Sequence, residues 1–549
     1  MPKKVLIVGG VAGGASAAAR LRRLDEQAEI IILERGTEIS YANCGLPYYI
    51  GGVIENRGRL LLQTPESFYR RFRIEVRTQN EVLAVDRVAK EITVKDLDRD
   101  AVYRESFDYL VLTPGARPIR PPLPGIDLPN IFSLRTVPDS DLIRRFVQEF
   151  RPIRALVVGG GYIGLEMVEN LVHLGMNVTV VDLADQLLAP LDPEMAAIVQ
   201  RHLQREGIEV QLGRRVVAFE GDTAARRVRF EDGSQLDTDL ILLGIGVTPE
   251  TELARSAGLQ LGVSGGILVN EHMQTSDPSI YAAGDAVQVT HFVTGEEVLI
   301  PLAGPANKQG RIAADNIAGR TSQYRGTQGT AIAQVLGLVV AVTGANEKML
   351  RKINRPARAC YYHPNSHAEY YPGAEEMSVK LIFEPEQGRI LGAQIIGRGG
   401  VDKRIDVLAT AIRAGMSVWD LQELELSYAP PFSSAKDPVN IGGYIAGNIQ
   451  VGDNPIFYWD QVADLIPGHF LLDVRTKAEA DEAAIPGSIN IPLDELRSRM
   501  AEIPRDRPLY VYCRAGHRAY IAVRILLQQG FREVYNLTGG FLTYAPTRS

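Results

Sequence analysis

The stretch KKVLIVGGVAGGASAAARLRRL, residues 3–24, reads as a β-branched strand, a glycine-rich turn and a helix. The pattern recurs as IRALVVGGGYIGLEMVENLVHLG over residues 153–175. Each copy leads to another strand ending in an acid, EIIILE at Glu34 and VTVVD at Asp182. Two such units predict two doubly wound, dinucleotide-binding domains. Glycines let the backbone approach a pyrophosphate, and the helix N-terminus supplies free N–H groups and positive potential. Gly9, Gly13 and Gly14 form the first turn, with Val11 in place of the usual middle glycine; Gly159, Gly161 and Gly164 complete the second. Glu34 follows Gly14 by 20 residues and Asp182 follows Gly164 by 18, suitable spacings for accepting hydrogen bonds from a ribose diol. Asp182 would repel a 2′-phosphate, and Leu183 to Gln186 bring no cation, which favours NADH over NADPH at the second site.

Outward from these units the pattern changes. TAIAQVLGLVVAVTG (330–344) and MSVKLIFEPEQGRILGAQIIG (377–397) read as antiparallel strands with glycine turns, and KRIDVLATAIRAG (403–415) as a helix. GNIQVGDNP (447–455) reads as a linker, and the last block alternates strand and helix again. The expected class is α/β: two doubly wound dinucleotide-binding domains, an α+β domain and a C-terminal α/β domain. The expected boundaries are 1–150 with 251–325, 151–250, 326–447, a linker at 448–455, and 456–549. A chain of 549 residues is too long for one core. Its net charge of −7 argues against a nucleic-acid partner. No apolar run reaches the ~18 residues of a membrane span. Three cysteines, Cys44, Cys360 and Cys513, cannot build a disulfide framework, so a cytoplasmic, reducing location is expected.

The two-turn architecture resembles the pyridine nucleotide–disulfide oxidoreductase family. TPGARP (113–118), GIGVTPET (244–251) and IYAAGDAV (280–287) resemble its strand-end motifs and the motif whose aspartate, here Asp285, holds the flavin ribityl chain. The resemblance implies FAD at the first site, with Arg35, Asn43, Thr113 and Gly115 joining Gly9, Gly13, Gly14, Glu34 and Asp285. It implies NADH (or NADPH) at the second, with Gly246 joining Gly159, Gly161, Gly164 and Asp182. A homodimer is expected through the α+β domain.

ISYANCGLPYYIGG (39–52) places Cys44 just after the Glu34 strand, with no cysteine among the next four residues. Cys44 must therefore pair with an external thiol or take an oxygen or sulfur atom. Near a flavin, with Ser40 and Asn43 as polar neighbours, its pKa is expected to be lowered. SYANCGLPY resembles the single-cysteine branch of the family: coenzyme A–disulfide reductases, NADH oxidases and NADH peroxidases. Arg20 and Arg23 share a helix face. With Arg71, Arg73, Ser40 and Asn43 they are candidates to hold coenzyme A, as substrate or bound cofactor. HAEYYPGA (367–374) and LSYAPPFSSAKDPVN (426–440) resemble coenzyme A–disulfide reductase strings, which implies that Tyr371 and Tyr428 reach the cysteine of a partner subunit.

LLDVRTKAE (471–479), IPGSINIP (485–492) and VYCRAGHRA (511–519) resemble a rhodanese domain, with Cys513 opening the loop CRAGHR. Backbone N–H groups of such a loop stabilise a thiolate or persulfide, and Arg514, His517 and Arg518 would favour an anionic sulfur donor. Cys360 reads as structural, and no His/Cys cluster has metal spacing. The combined expectation is NAD(P)H- and FAD-dependent reduction of coenzyme A disulfide, coenzyme A persulfide or polysulfide at Cys44, with sulfane-sulfur transfer at Cys513. An NADH oxidase or peroxidase using a Cys44 sulfenic acid, or a sulfur-carrier or redox-sensing protein, is the alternative.

Overall fold

The computed structural model describes residues 2–465 and 469–548. The chain divides into two compact units, Met1–Asp185 with Ile208–Gly329, and Gln186–Gly207 with Thr330–Ser549.

The first unit holds two five-stranded parallel sheets. In one, Lys4–Val8 lies between Tyr109–Leu112 and Glu29–Leu33, with Ile280–Ala282 and Glu75–Arg77 outermost. Arg154–Val158 holds the same central place in the other, between Leu240–Leu243 and Asn177–Val181. A central parallel strand is covered on both faces, which is why Val5, Leu6 and Ile7 are consecutive and all buried. Each sheet is accompanied by a three-stranded antiparallel sheet, within residues 80–106 and 216–237, that the strand–helix reading did not anticipate.

Glycine closes both turns tightly. A Cβ on Gly14 would lie 1.9 Å from the Gly9 carbonyl oxygen, and one on Gly164 would lie 2.0 Å from that of Gly159. Each helix can therefore start directly against its own strand end only with hydrogen at that position.

The second unit contains a five-stranded antiparallel sheet between 331 and 397 and a five-stranded parallel sheet between 456 and 537. The helix Pro438–Gln450 runs into the expected linker, so residues 448–450 are helical. Residues 186–207, expected within the second nucleotide domain, cluster here instead. Their helix, Pro193–Arg205, buries Met195, Val199 and Leu203. Asp192 and Glu194 meet Glu347 around the fully buried Lys380, whose Nζ lies 2.7, 2.5 and 2.6 Å from the three carboxylates. Burial works against the ammonium, but the three acids outweigh it and raise the Lys380 pKa. The ammonium thus fills the space between three carboxylates that could otherwise suit a cation.

Lys380→Met leaves these acids buried without their cation. It should cost ~3–5 kcal/mol of stability, read as a lower midpoint in guanidinium unfolding. A loss under ~1 kcal/mol would show that the ammonium is dispensable.

Candidate active sites

Cys44 sits in the short 3-10 turn Asn43–Gly45, directly before the helix Leu46–Ile50. That helix ends at Gly51, where a Cβ would lie 2.0 Å from Asn170 Oδ1 of the helix Tyr162–His173. Asn170 in turn donates to the Glu166 carbonyl at 2.7 Å. Cys44 lies in the field of Glu166, from that same helix, and of Asp285, and Tyr48 lies in the field of Glu166.

The protein's own groups do not produce the lowered Cys44 pKa expected beside a flavin. Partial desolvation raises it, and the negative charges of Glu166 and Asp285 raise it further; its own backbone amide opposes them. The thiol is solvent-exposed in the single chain, yet the surrounding protein displaces enough water nearby to disfavour the thiolate. Burial also lifts Glu166 to about 7, with Glu169 contributing, and raises the Asp285 carboxyl against the pull of Arg135.

The two glycine turns are wired alike. Gly10 N donates to Glu34 Oε2 at 2.8 Å, and Gly160 N donates to Asp182 Oδ2 at 2.6 Å. Thr113 braces the first turn by donating to the carbonyls of Val8 and Gly9, and a Cβ on Gly9 would lie 2.2 Å from its carbonyl oxygen. Gly115 and Gly246 both have positive φ, at 75° and 107°. A Cβ on Gly161 would meet no protein atom within 4 Å, so this glycine keeps space open beyond the protein itself. That space, the helix N-terminus and the acid beside it suit a dinucleotide diphosphate and ribose. Asp285, desolvated and facing Arg135, suits a hydroxyl donor. The residues therefore fit FAD and NAD(P)H. Arg35 is held by Glu250 at 3.3 Å, and Asn43 is exposed.

Beside the first turn lies a cavity of about 340 Å³, lined by Ser16, Arg20, Arg23, Ser40, Asn307 and Arg311, with Phe68 and Phe72. Ser40 N donates to the Gly10 carbonyl at 2.8 Å, and its φ of 44° is unusual for a non-glycine residue. Arg20 is paired with Asp315 at 2.7 Å. Arg71 and Arg73, expected to contribute, do not line the cavity. Phe68 and Phe72, four apart on one helical face, are the residues of that segment that do. Arg73 is instead the left-handed cap of the helix, its guanidinium 5.3 Å from the Tyr69 ring centroid. Asn307 and Arg311 escaped the sequence reading because they come from the helix Ala303–Ile317, nearly three hundred residues from Arg20. Gly310 permits this approach: a Cβ there would lie 2.2 Å from the Gly13 carbonyl oxygen.

In the second unit Cys513 is 1% exposed and receives the Gly516 N–H on its sulfur at 3.1 Å. Phe541 N and Leu542 N donate to the carbonyls of Cys513 and Arg514, fixing the loop's start. Arg514 and Arg518 are both already paired. Arg514 donates to Glu376 at 2.5 and 3.3 Å, and Arg518 to Glu479 at 2.7 Å through both nitrogens. Hydrogen bonding to Arg518 holds the Glu479 carboxyl down at about 2. Tyr371 and Tyr428 are exposed, and Tyr428 shares a 2.8 Å hydroxyl–hydroxyl bond with Tyr370. Cys360 is fully buried in the strand Arg358–Tyr362.

Three family models match the chain. They are the pyridine nucleotide-disulphide oxidoreductase model at residues 3–310, its dimerisation domain at 331–438 and a rhodanese-like domain at 459–545. An NADH oxidase of Methanocaldococcus jannaschii is 37% identical over 80% of this chain and 97% of its own. A coenzyme A disulfide reductase of Staphylococcus aureus is 34% identical over 81% and 100%. The solved structure of reduced CoADR-RHD from Bacillus anthracis is 51% identical, with a TM-score of 0.98, covering 100% of this chain and 98% of that one. An NAD-dependent persulfide reductase from A. fulgidus is 37% identical, with a TM-score of 0.93, covering 98% and 100%.

Glu166→Gln removes a charge that raises the Cys44 pKa. The midpoint for alkylation of Cys44 by iodoacetamide, followed by peptide mass spectrometry, should fall by ~0.5 pH unit. Since Glu166 itself titrates at about 7, variant and parent should react alike in more acid solution and diverge above it. A midpoint that stays in place means the two groups do not interact.

Proposed function

The chain belongs to the pyridine nucleotide-disulphide oxidoreductase family, and on that premise we propose that it is a homodimeric flavoprotein that uses NAD(P)H to reduce the disulfide or persulfide of coenzyme A. One observation carries the reading. Cys44, Asp285 and Glu166, from three distant parts of the sequence, share one electrostatic neighbourhood, and Ser40, four residues before Cys44, lines a cavity with arginines at its wall.

Gly9–Gly14 and Glu34 would hold the diphosphate and adenine ribose of FAD, and Asp285 its ribityl hydroxyls. Gly159–Gly164 and Asp182 would hold NADH in preference to NADPH. FAD, when bound, supplies a route for two electrons from the nicotinamide to sulfur. The Cys44 thiolate attacks the coenzyme A disulfide, forming a mixed disulfide and releasing one coenzyme A thiolate. Two electrons and a proton then return Cys44 to the thiolate and free the second thiol. With coenzyme A persulfide, attack on the inner sulfur gives the same mixed disulfide and releases hydrosulfide. Glu166, protonated part of the time near neutrality, is placed to exchange a proton beside Cys44. Arg23 and Arg311 would bind the phosphates of coenzyme A. Tyr371 and Tyr428, donated by the partner subunit, would protonate or hydrogen bond the departing thiolate. Cys513 would accept sulfane sulfur and pass it to coenzyme A. Three unpaired cysteines fit a cytoplasmic setting. A second reading is an NADH oxidase, the name borne by the Methanocaldococcus relative, with Cys44 cycling through a sulfenic acid.

Cys44→Ser should lower NADH-dependent turnover of coenzyme A disulfide by at least ~10³-fold, while Cys513→Ser leaves it intact and abolishes sulfur transfer. Faster turnover of oxygen than of coenzyme A disulfide would move the assignment to the oxidase. Arg311→Ala should raise KM for coenzyme A disulfide by ~10-fold and leave that for pantethine, which lacks the nucleotide, unchanged. An equal effect on both would remove Arg311 from the binding site.

A further inference from the structure

We propose that Glu376 and Glu479 set the donor specificity of Cys513 by cancelling the two arginine charges at its rim, so that the site takes sulfur from a thiol-borne persulfide and disfavours small dianions such as thiosulfate. The inference rests on Cys513 being a sulfur acceptor.

Around the loop the charges come in matched pairs. Arg514 is bound through both terminal nitrogens by Glu376, which the chain supplies from 138 residues upstream. Arg518, close enough to Cys513 to hydrogen bond its sulfur, is gripped at 2.7 Å by both oxygens of Glu479. His363, behind Arg514, adds no charge: burial and the Arg514 guanidinium push its pKa down to about 3. What remains for the transferring sulfur is the Gly516 N–H on Cys513 and the Arg518 guanidinium, whose charge Glu479 already matches.

The Cys513 thiolate attacks the outer sulfur of R–S–S⁻. The new S–S bond gives Cys513–S–S⁻, the old one breaks, and R–S⁻ leaves with its electron pair. With thiosulfate the same displacement releases sulfite. The difference is charge. A thiol-borne persulfide brings one negative charge on the sulfur that the loop amides receive. Thiosulfate brings a second, on a sulfonate that needs an unpaired cation beside the loop. Both candidates for that cation are already occupied.

The test uses full-length protein with its bound cofactors and cyanide as acceptor, comparing thiosulfate with N-acetylcysteamine persulfide. Glu376→Gln keeps the shape and frees Arg514. It should raise kcat/KM for thiosulfate by ~10-fold, mostly through KM, and change that for the persulfide by less than ~2-fold. Glu479→Gln should act in the same direction, and both gains should shrink in high salt. No gain, or equal gains for both donors, overturns the proposal. The mass of intact wild type and Cys513→Ser after exposure to the persulfide reports separately on the underlying reading. If neither donor ever loads sulfur on Cys513, the sulfur-acceptor role fails and the charge argument falls with it.

Discussion

The helix that follows Cys44, Leu46–Ile50, ends close against Tyr162–His173 because position 51 has no side chain; a Cβ there would be driven into Asn170. That contact joins the two nucleotide-binding halves of the first unit a few residues beyond Cys44. From it follow the nearness of Glu166 to Cys44 and the burial that lifts the Glu166 carboxyl toward neutrality. In the proposed reaction Cys44 receives electrons from one half while a carrier approaches from outside, which needs a place where those halves meet. A missing methyl group makes the meeting close enough.

The two reactive cysteines are treated differently by their surroundings. Cys44 is exposed and has acids for neighbours, so the protein's own charges favour the thiol. Cys513 is enclosed, with a backbone N–H on its sulfur and arginines whose charges are already spoken for. In neither place does an uncompensated cation stand beside the sulfur among the interactions described. Control passes instead to a titrating acid at one site and to backbone polarity at the other.

Much of this was legible in the sequence because the relevant physics is local. Gly9, Gly14, Gly159 and Gly164 sit where a Cβ would strike a carbonyl a few residues away, and such turns announce themselves in a short window. The strand preceding CRAGHR is likewise local. What escaped depends on long-range partners. Ser40 and Arg20 give no hint that Asn307 and Arg311 complete their cavity. Nothing near Arg514 foretells Glu376. Ser40 and Asn43 are the polar neighbours of Cys44 in sequence, whereas the charged groups that act on it are the distant Glu166 and Asp285. Charge groups Arg71 and Arg73 with Arg20 and Arg23 in the sequence, but from the helix Pro65–Phe72 it is Phe68 and Phe72 that line the cavity.

Residues 186–207 leave the body in which their flanking strands lie and pack into the other. Asp192 and Glu194 neutralise Lys380 there, and Met195, Val199 and Leu203 are buried. A gene fragment ending near residue 329 would encode an amphipathic helix stripped of its oily cover, and one beginning near 330 would leave a buried lysine with one of its three carboxylates. Shuffling such modules between related genes would need a double crossover, one on each side of this short loan, and lineages that recombine the halves must exchange it with them.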